Sequence, residues 1–222
     1  MEKLKAILGS GEMGYRVIES AKCFQFEREL RPGMTVRIDL LAAPPPDEDL
    51  SKVTIKAPRI RPRSVSKIHG RLTQEAASVH MGKVPIELGA YLGRSDESTS
   101  GVVYIPSSLN YLILKLHALR DRKERLDSDK GRHHAFDIFR IVADMRRSDW
   151  ASAEELVRLK RREPHVRCAA ALQREYFGDI ESVGVVRLRE NVGFLGEFES
   201  CLENLIEDMA ELFAEIEPRD YM

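Results

Sequence analysis

The chain has 222 residues, 43% of them hydrophobic, enough for one full core or for a core with a helical appendage. Its 35 basic and 36 acidic residues leave a net charge of −1, which excludes the strong global charge of a chain held to nucleic acid or membrane by electrostatics alone. Cys23, Cys168 and Cys201 are far apart and odd in number, which argues against a disulfide framework or a metal-binding cysteine motif. Reduced thiols in the cytoplasm are the expectation. The opening Met-Glu-Lys-Leu-Lys lacks the apolar core of a signal peptide, and no apolar run reaches the length of a membrane span.

Residues 2–8 are expected to form a short helix, stopped by Gly9-Ser10-Gly11. A lone glycine cluster of this kind reads as a helix-ending loop rather than a phosphate cradle. Phe24-Gln25-Phe26-Glu27-Arg28-Glu29-Leu30 alternates with period two, and so does Val36-Arg37-Ile38-Asp39-Leu40. Arg31-Pro32-Gly33-Met34 lies between them and has the chemistry of a turn. The pattern predicts a β-hairpin with Val36, Ile38 and Leu40 on one face and Arg37 and Asp39 on the other. On its own, Asp39 reads as an exposed strand carboxylate paired to Arg37 or Arg28. Pro44-Pro45-Pro46 and the acids after them form a loop. Lys56, Arg59, Arg61 and Arg63 follow, interrupted by Pro58 and Pro62. That extended arm either tracks a phosphate backbone or is a solvated edge that resists strand pairing.

Thr73-Gln74-Glu75 opens a short turn, and residues 77–88 contain strand broken by Gly82 and Pro85. A polar loop over 93–101 leads into the strand Val102-Val103-Tyr104-Ile105. Ser107 or Ser108 then caps a helix. Residues 108–145 organise the rest of the chain. Leu109, Leu112, Ile113, Leu116 and Leu119 have helical spacing and make a broad apolar face. Lys115 sits inside that run and must snorkel outward or meet a partner. A second helix carries Phe136, Ile138, Phe139, Ile141, Val142 and Met145, with Asp137 between apolar neighbours. A lysine on one helix and an aspartate on the next are read as a structural ion pair, two solvated charges, or a site at the helix contact. The run of alternating charge over 120–132 is a solvated connector. His133 and His134 follow it. His133 and Asp137 are four apart and share a helix face, but no third metal ligand is visible, so a hydrogen-bonding role near a phosphate or carboxylate is favoured.

The last third is helical. Ser152 with Glu155 has the spacing of a capping box, which predicts a helix over 154–162 stopped by Pro164. A second helix is expected over 166–176, then a valine–glycine segment over 179–190. A long amphipathic helix over about 194–217 would bury Phe194, Leu195, Phe198, Leu202, Leu205, Ile206, Met209, Leu212 and Phe213, and present an acidic opposite face. That apolar stripe packs on the rest of the chain, or serves a partner or a dimer.

Leu112-Ile113-Leu114-Lys115-Leu116-His117-Ala118-Leu119-Arg120-Asp121-Arg122, followed by Arg132-His133-His134-Ala135-Phe136-Asp137-Ile138-Phe139, resembles the late signature of the AbiEii/AbiGii-type nucleotidyltransferase-like family. Members are toxin components of bacterial toxin–antitoxin and phage-defence systems. The similarity runs over about residues 12–145 and more loosely to the C-terminus, and it is specific at 24–41 and 108–142 and vague between them. It implies an α/β (α+β) fold, a nucleotidyltransferase-like mixed sheet with helices followed by a helical C-terminal region. It divides the chain into a partial nucleotidyltransferase-like domain over 1–107 and a helical domain over 108–222. The family lysine matches Lys115, its arginine Arg122 and its helix aspartate Asp137; Lys115 and Asp137, with Asp39, are the catalytic candidates that the resemblance implies. Asp39 lies in a context similar to the strand of the third catalytic carboxylate, which makes it the metal-ligand candidate. His133 and His134 stand where the family often has an Arg-Asp pair, and with Arg122 they are candidates for contacting the nucleotide.

An active relative of this kind takes a nucleotide from a nucleoside triphosphate with Mg2+ and transfers it to an RNA or protein acceptor, and its partner is an antitoxin-like protein. The family's opening element also needs an Asp-x-Asp or Asp-x-Glu pair to hold two metal ions. The corresponding window here reads Tyr15-Arg16-Val17-Ile18-Glu19-Ser20. The expectation is therefore a degenerate or N-terminally truncated site, with a non-catalytic protein-binding module as the alternative.

Overall fold

The computed structural model describes residues 7–11, 13–18, 25–43, 71–87, 101–122, 131–194 and 196–216. The described residues form a mixed α+β structure that divides into two compact units, 1–77 and 78–222. Among the described residues no helix is long and apolar enough to cross a membrane. The proline- and acid-rich loop at 44–49, the basic arm at 53–65 and most of the polar loop at 93–101 lie outside the described residues.

The first unit is built on the expected hairpin. Strand β1 is Arg16–Val17, β2 is Gln25–Arg31 and β3 is Met34–Asp39. They form an antiparallel sheet in the order β1-β2-β3, with Phe26 opposite both Val17 and Ile38. Pro32 presets the first turn residue, and Gly33 takes the second at φ +79°, a left-handed value that a side chain would strain. Along β3 the exposure alternates as period two requires, Val36 and Ile38 half-buried and Arg37 and Asp39 exposed. The core here is small: Leu8 and Phe26 are buried, with Tyr15, Val17, Ile38 and Leu40 against them. Ser10 closes its own turn, donating to the Ile7 carbonyl at 2.8 Å and accepting from the Met13 amide at 3.3 Å, while most of the helix expected over 2–8 lies outside the described residues. A short parallel pair, β4 (Leu41–Ala42) with β5 (Arg71–Leu72), and a 3-10 turn at Gln74–Ala76 complete the unit.

The second unit begins with an antiparallel pair, β6 (Val84–Glu87) and β7 (Val102–Ile105). Pro85 does not break the strand as expected. It sits within β6 opposite Tyr104, and a two-stranded ladder leaves each strand an outer edge where a missing amide costs nothing. Among the described residues six α-helices follow: α1 (Ser108–Arg122), α2 (Arg132–Asp144), α3 (Arg147–Lys160), α4 (Pro164–Phe177), α5 (Val183–Arg189) and α6 (Leu202–Leu212).

Helix α1 is the axis of this unit, in contact with α2, α3 and α4. Ser107 starts it, its hydroxyl accepting from the Asn110 amide at 3.4 Å. Leu112, Ile113, Leu116 and Leu119 are fully buried, as their spacing predicts, each worth about 1.5–3 kcal/mol of transfer free energy. Asn110 is buried as well, donating to the Met81 carbonyl and accepting from Ser78, whose hydroxyl also meets Nε2 of His165 at 2.9 Å. That network ties the segment before β6 to α1 and α4, and it satisfies polar groups that would be costly to bury alone.

The C-terminal helices depart from expectation in three places. Helix α3 starts at Arg147, not near Ser152. Asp149 supplies the cap, accepting from the Arg146 amide at 2.9 Å, while Ser152 lies inside the helix and donates to the Ser148 carbonyl. The valine–glycine segment is helical: α5 fits because Gly184 has no Cβ, which would lie 2.4 Å from the Tyr176 carbonyl oxygen and 2.7 Å from the Phe177 ring. The last helix is shorter than the stripe predicts. Residues Gly196–Cys201 form a 3-10 turn that brings Phe198 to 5.6 Å from Phe139, with Phe194 edge-on to the same ring at 5.5 Å. Leu202, Leu205, Met209, Leu212 and Phe213 are buried, so most of the stripe packs on its own chain. The Arg189 guanidinium meets Glu199 at 2.5 Å and ties α5 to that turn; the hydrogen bond raises its already high pKa.

Candidate functional site

Lys115 and Asp137 are 22 positions apart, and their side chains meet. The Lys115 ammonium donates to Oδ2 of Asp137 at 2.6 Å. Helix periodicity produces the meeting. Lys115 lies on the margin of the apolar face of α1, next to buried Leu116, and Asp137 lies next to buried Ile138 on α2. When those faces pack, the two margins come together. The pair is partly exposed, 18% for the lysine side chain and 35% for the aspartate. Its worth therefore lies between the ~0–1 kcal/mol of a surface pair and the ~3–5 kcal/mol lost on breaking a buried one. Tyr111, one helical turn before Lys115, puts its ring 5.0 Å from the same ammonium.

Beside the pair is a surface hollow of about 340 Å³. Its polar lining is Ser108, Tyr111, Asp137, Arg140 and Asp144, and its apolar walls are Ile105, Pro106 and Ile141. The start of α1 faces the end of α2 there, so the two helices run antiparallel. The volume is at the lower end of the range for small-molecule sites. Asp137, Arg140 and Asp144 follow one another at intervals of three and four on α2 and so share a face. The positive end of the α1 dipole, at Ser108, opens into the same hollow. The hollow thus offers a guanidinium and two carboxylates on α2, opposite the Ser108 hydroxyl and the Tyr111 ring on α1.

The other candidates lie elsewhere. Arg122 is exposed at the last residue of α1, about 10 Å along the helix from Lys115. His133 is exposed in the first turn of α2, and its Nδ1 lies 3.3 Å from Nδ2 of Asn191. His134 is half-buried in the same turn. None of the three lines the hollow. Asp39 belongs to the first unit. It is exposed on β3 and accepts from the Gln25 side-chain amide at 2.8 Å, a cross-strand partner different from the arginines expected. Arg37 instead meets Glu27 at 3.6 Å. Among the described residues no group of three His, Cys, Asp or Glu side chains is placed to hold a metal ion.

Tyr111, Arg140 and Asp144 escaped the sequence reading. Their signal was present in the spacing: once Lys115 and Asp137 are taken as a pair, residues three, four and seven positions away on the same faces are its neighbours. Compared with known proteins, the chain matches no family model, no curated protein and no solved structure.

Proposed function

We propose that this chain is a nucleotidyltransferase-like protein, similar to the AbiEii/AbiGii toxins, that binds a nucleoside triphosphate at the Lys115–Asp137 hollow. The observation that carries the reading is the meeting of Lys115 and Asp137, the two residues matched to the family's lysine and helix aspartate, beside a hollow of ligand size. In this reading 1–107 is a partial nucleotidyltransferase-like domain, and the protein acts in the cytoplasm. Transfer of the nucleotide to an RNA or protein acceptor would need Mg2+ held by several carboxylates. Asp39, engaged with Gln25, does not make such a set with the other described residues. The proposal is therefore nucleotide binding. The test is calorimetric titration with each of the four ribonucleoside triphosphates, with and without magnesium. At least one should bind, and Lys115→Ala should remove that binding while helical circular dichroism is unchanged. Absence of binding to all four overturns the reading.

A second reading, a non-catalytic module that engages an antitoxin-like protein, is favoured by β7. Val102, Val103, Tyr104 and Ile105 are consecutive, apolar and each at least 40% exposed. Co-purification of a small cognate protein, together with no triphosphate binding, would select this reading over the first.

A further inference from the structure

Resting on the nucleotide reading of the hollow, we infer that Arg140 is the cation that contacts the phosphates, and that Lys115 acts behind it as a positioning residue. Three observations carry this. The Lys115 charge is already matched by Asp137 at 2.6 Å, and its side chain is 18% exposed. Asp137, Arg140 and the Ser108 end of α1 line the hollow, whereas Lys115 touches two of the lining residues, Asp137 and Tyr111, from behind. Arg140 is exposed, lines the hollow, and makes no ion pair among the described residues. A guanidinium with its donors unspent presents a planar fork that matches two phosphate oxygens. The Lys115 ammonium spends one of its three donors on Asp137 and does not line the hollow. Lys115 still matters to an anion, because it neutralises Asp137, a carboxylate that would otherwise repel phosphate from the wall of the hollow. Asp144 also lines the hollow and opposes a phosphate, so the phosphates belong between Arg140 and the positive end of α1. A carboxylate in that position suits a sugar hydroxyl, which donates to it.

The experiment separates a direct contact from charge neutralisation. The probe is inorganic tripolyphosphate in metal-free buffer, titrated into the full chain and into four variants: Arg140→Gln, Asp137→Asn, Lys115→Met, and Lys115→Met combined with Asp137→Asn. A charge-assisted bond to phosphate is worth about a 10- to 100-fold change in Kd. Arg140→Gln should weaken binding by at least ~10-fold. Lys115→Met should weaken it too, and the double variant should return close to Asp137→Asn, because the repelling carboxylate has gone with the ammonium. Unchanged binding in Arg140→Gln overturns the inference. So does a double variant as weak as Lys115→Met, which would make the lysine the direct contact. If the chain binds a nucleoside triphosphate but not tripolyphosphate, this inference fails and the nucleotide reading stands. If it binds neither, both fall.

Discussion

Asp39 and Asp137 are the same residue type, each between apolar neighbours, and the two regions of the molecule treat them differently. Asp39 sits on a strand. Period two sends it to the face opposite Val36 and Ile38, and the small core of Leu8 and Phe26 leaves that face to solvent. Its partner is a neutral amide, Gln25. Asp137 sits on a helix with a wide apolar face. Period 3.6 puts it at the margin of that face, where α1 packs, and it meets a lysine at 2.6 Å beside a hollow. A carboxylate on a thin sheet faces water unless another layer covers it. A carboxylate on the flank of a packed helix meets whatever the neighbouring helix offers.

Five substitutions, in three tests, would sharpen or break this contrast, beyond the nucleotide and tripolyphosphate titrations. The largest effect is expected in the helix seam. Leu116→Ala removes a fully buried side chain at the contact of α1 with its neighbours and should cost about 2–5 kcal/mol in urea unfolding followed by helical circular dichroism. A loss under ~1 kcal/mol would mean that α1 is not the axis of the unit. Next comes the carboxylate pair itself. Asp137→Ala should destabilise by about 1–3 kcal/mol, because it leaves a mostly buried ammonium without its carboxylate. Asp39→Ala should stay within about 0.5 kcal/mol, as an exposed substitution does. Equal costs for the two would erase the distinction between strand and helix carboxylates. The last test concerns the start of α3. Asp149→Ala should lose about 1 kcal/mol with the cap, while Ser152→Ala, inside the helix, should change stability by a few tenths at most. The reverse order would restore the cap to Ser152.

Legibility varied along the chain for physical reasons. The hairpin around Pro32-Gly33 and the apolar face of α1 could be read directly, since turn chemistry and side-chain periodicity are local. The cap of α3 was misplaced because Ser152 and Asp149 both offer an oxygen at capping spacing, and only the backbone path decides which amide is free. Helix α5 was missed because Gly184 lowers helix propensity, yet the glycine is what lets the helix approach Tyr176 and Phe177. The long final helix was overextended because Phe194 and Phe198 fit its stripe, whereas their contacts with Phe139 bend the chain into a 3-10 turn.

Taken alone, the amino-acid sequence determined which residues are apolar at which spacing, and therefore the hairpin, the two central helices and the presence of a lysine and an aspartate on their flanks. Those features depend on the period of the backbone and on residues a few positions apart. The tertiary structure alone decided that Lys115 and Asp137 face each other, that Tyr111, Arg140 and Asp144 gather around the same hollow, and that Arg122, His133 and His134 do not. Contacts between residues on different helices depend on which faces pack and in what register, and that choice is made by the whole buried core at once.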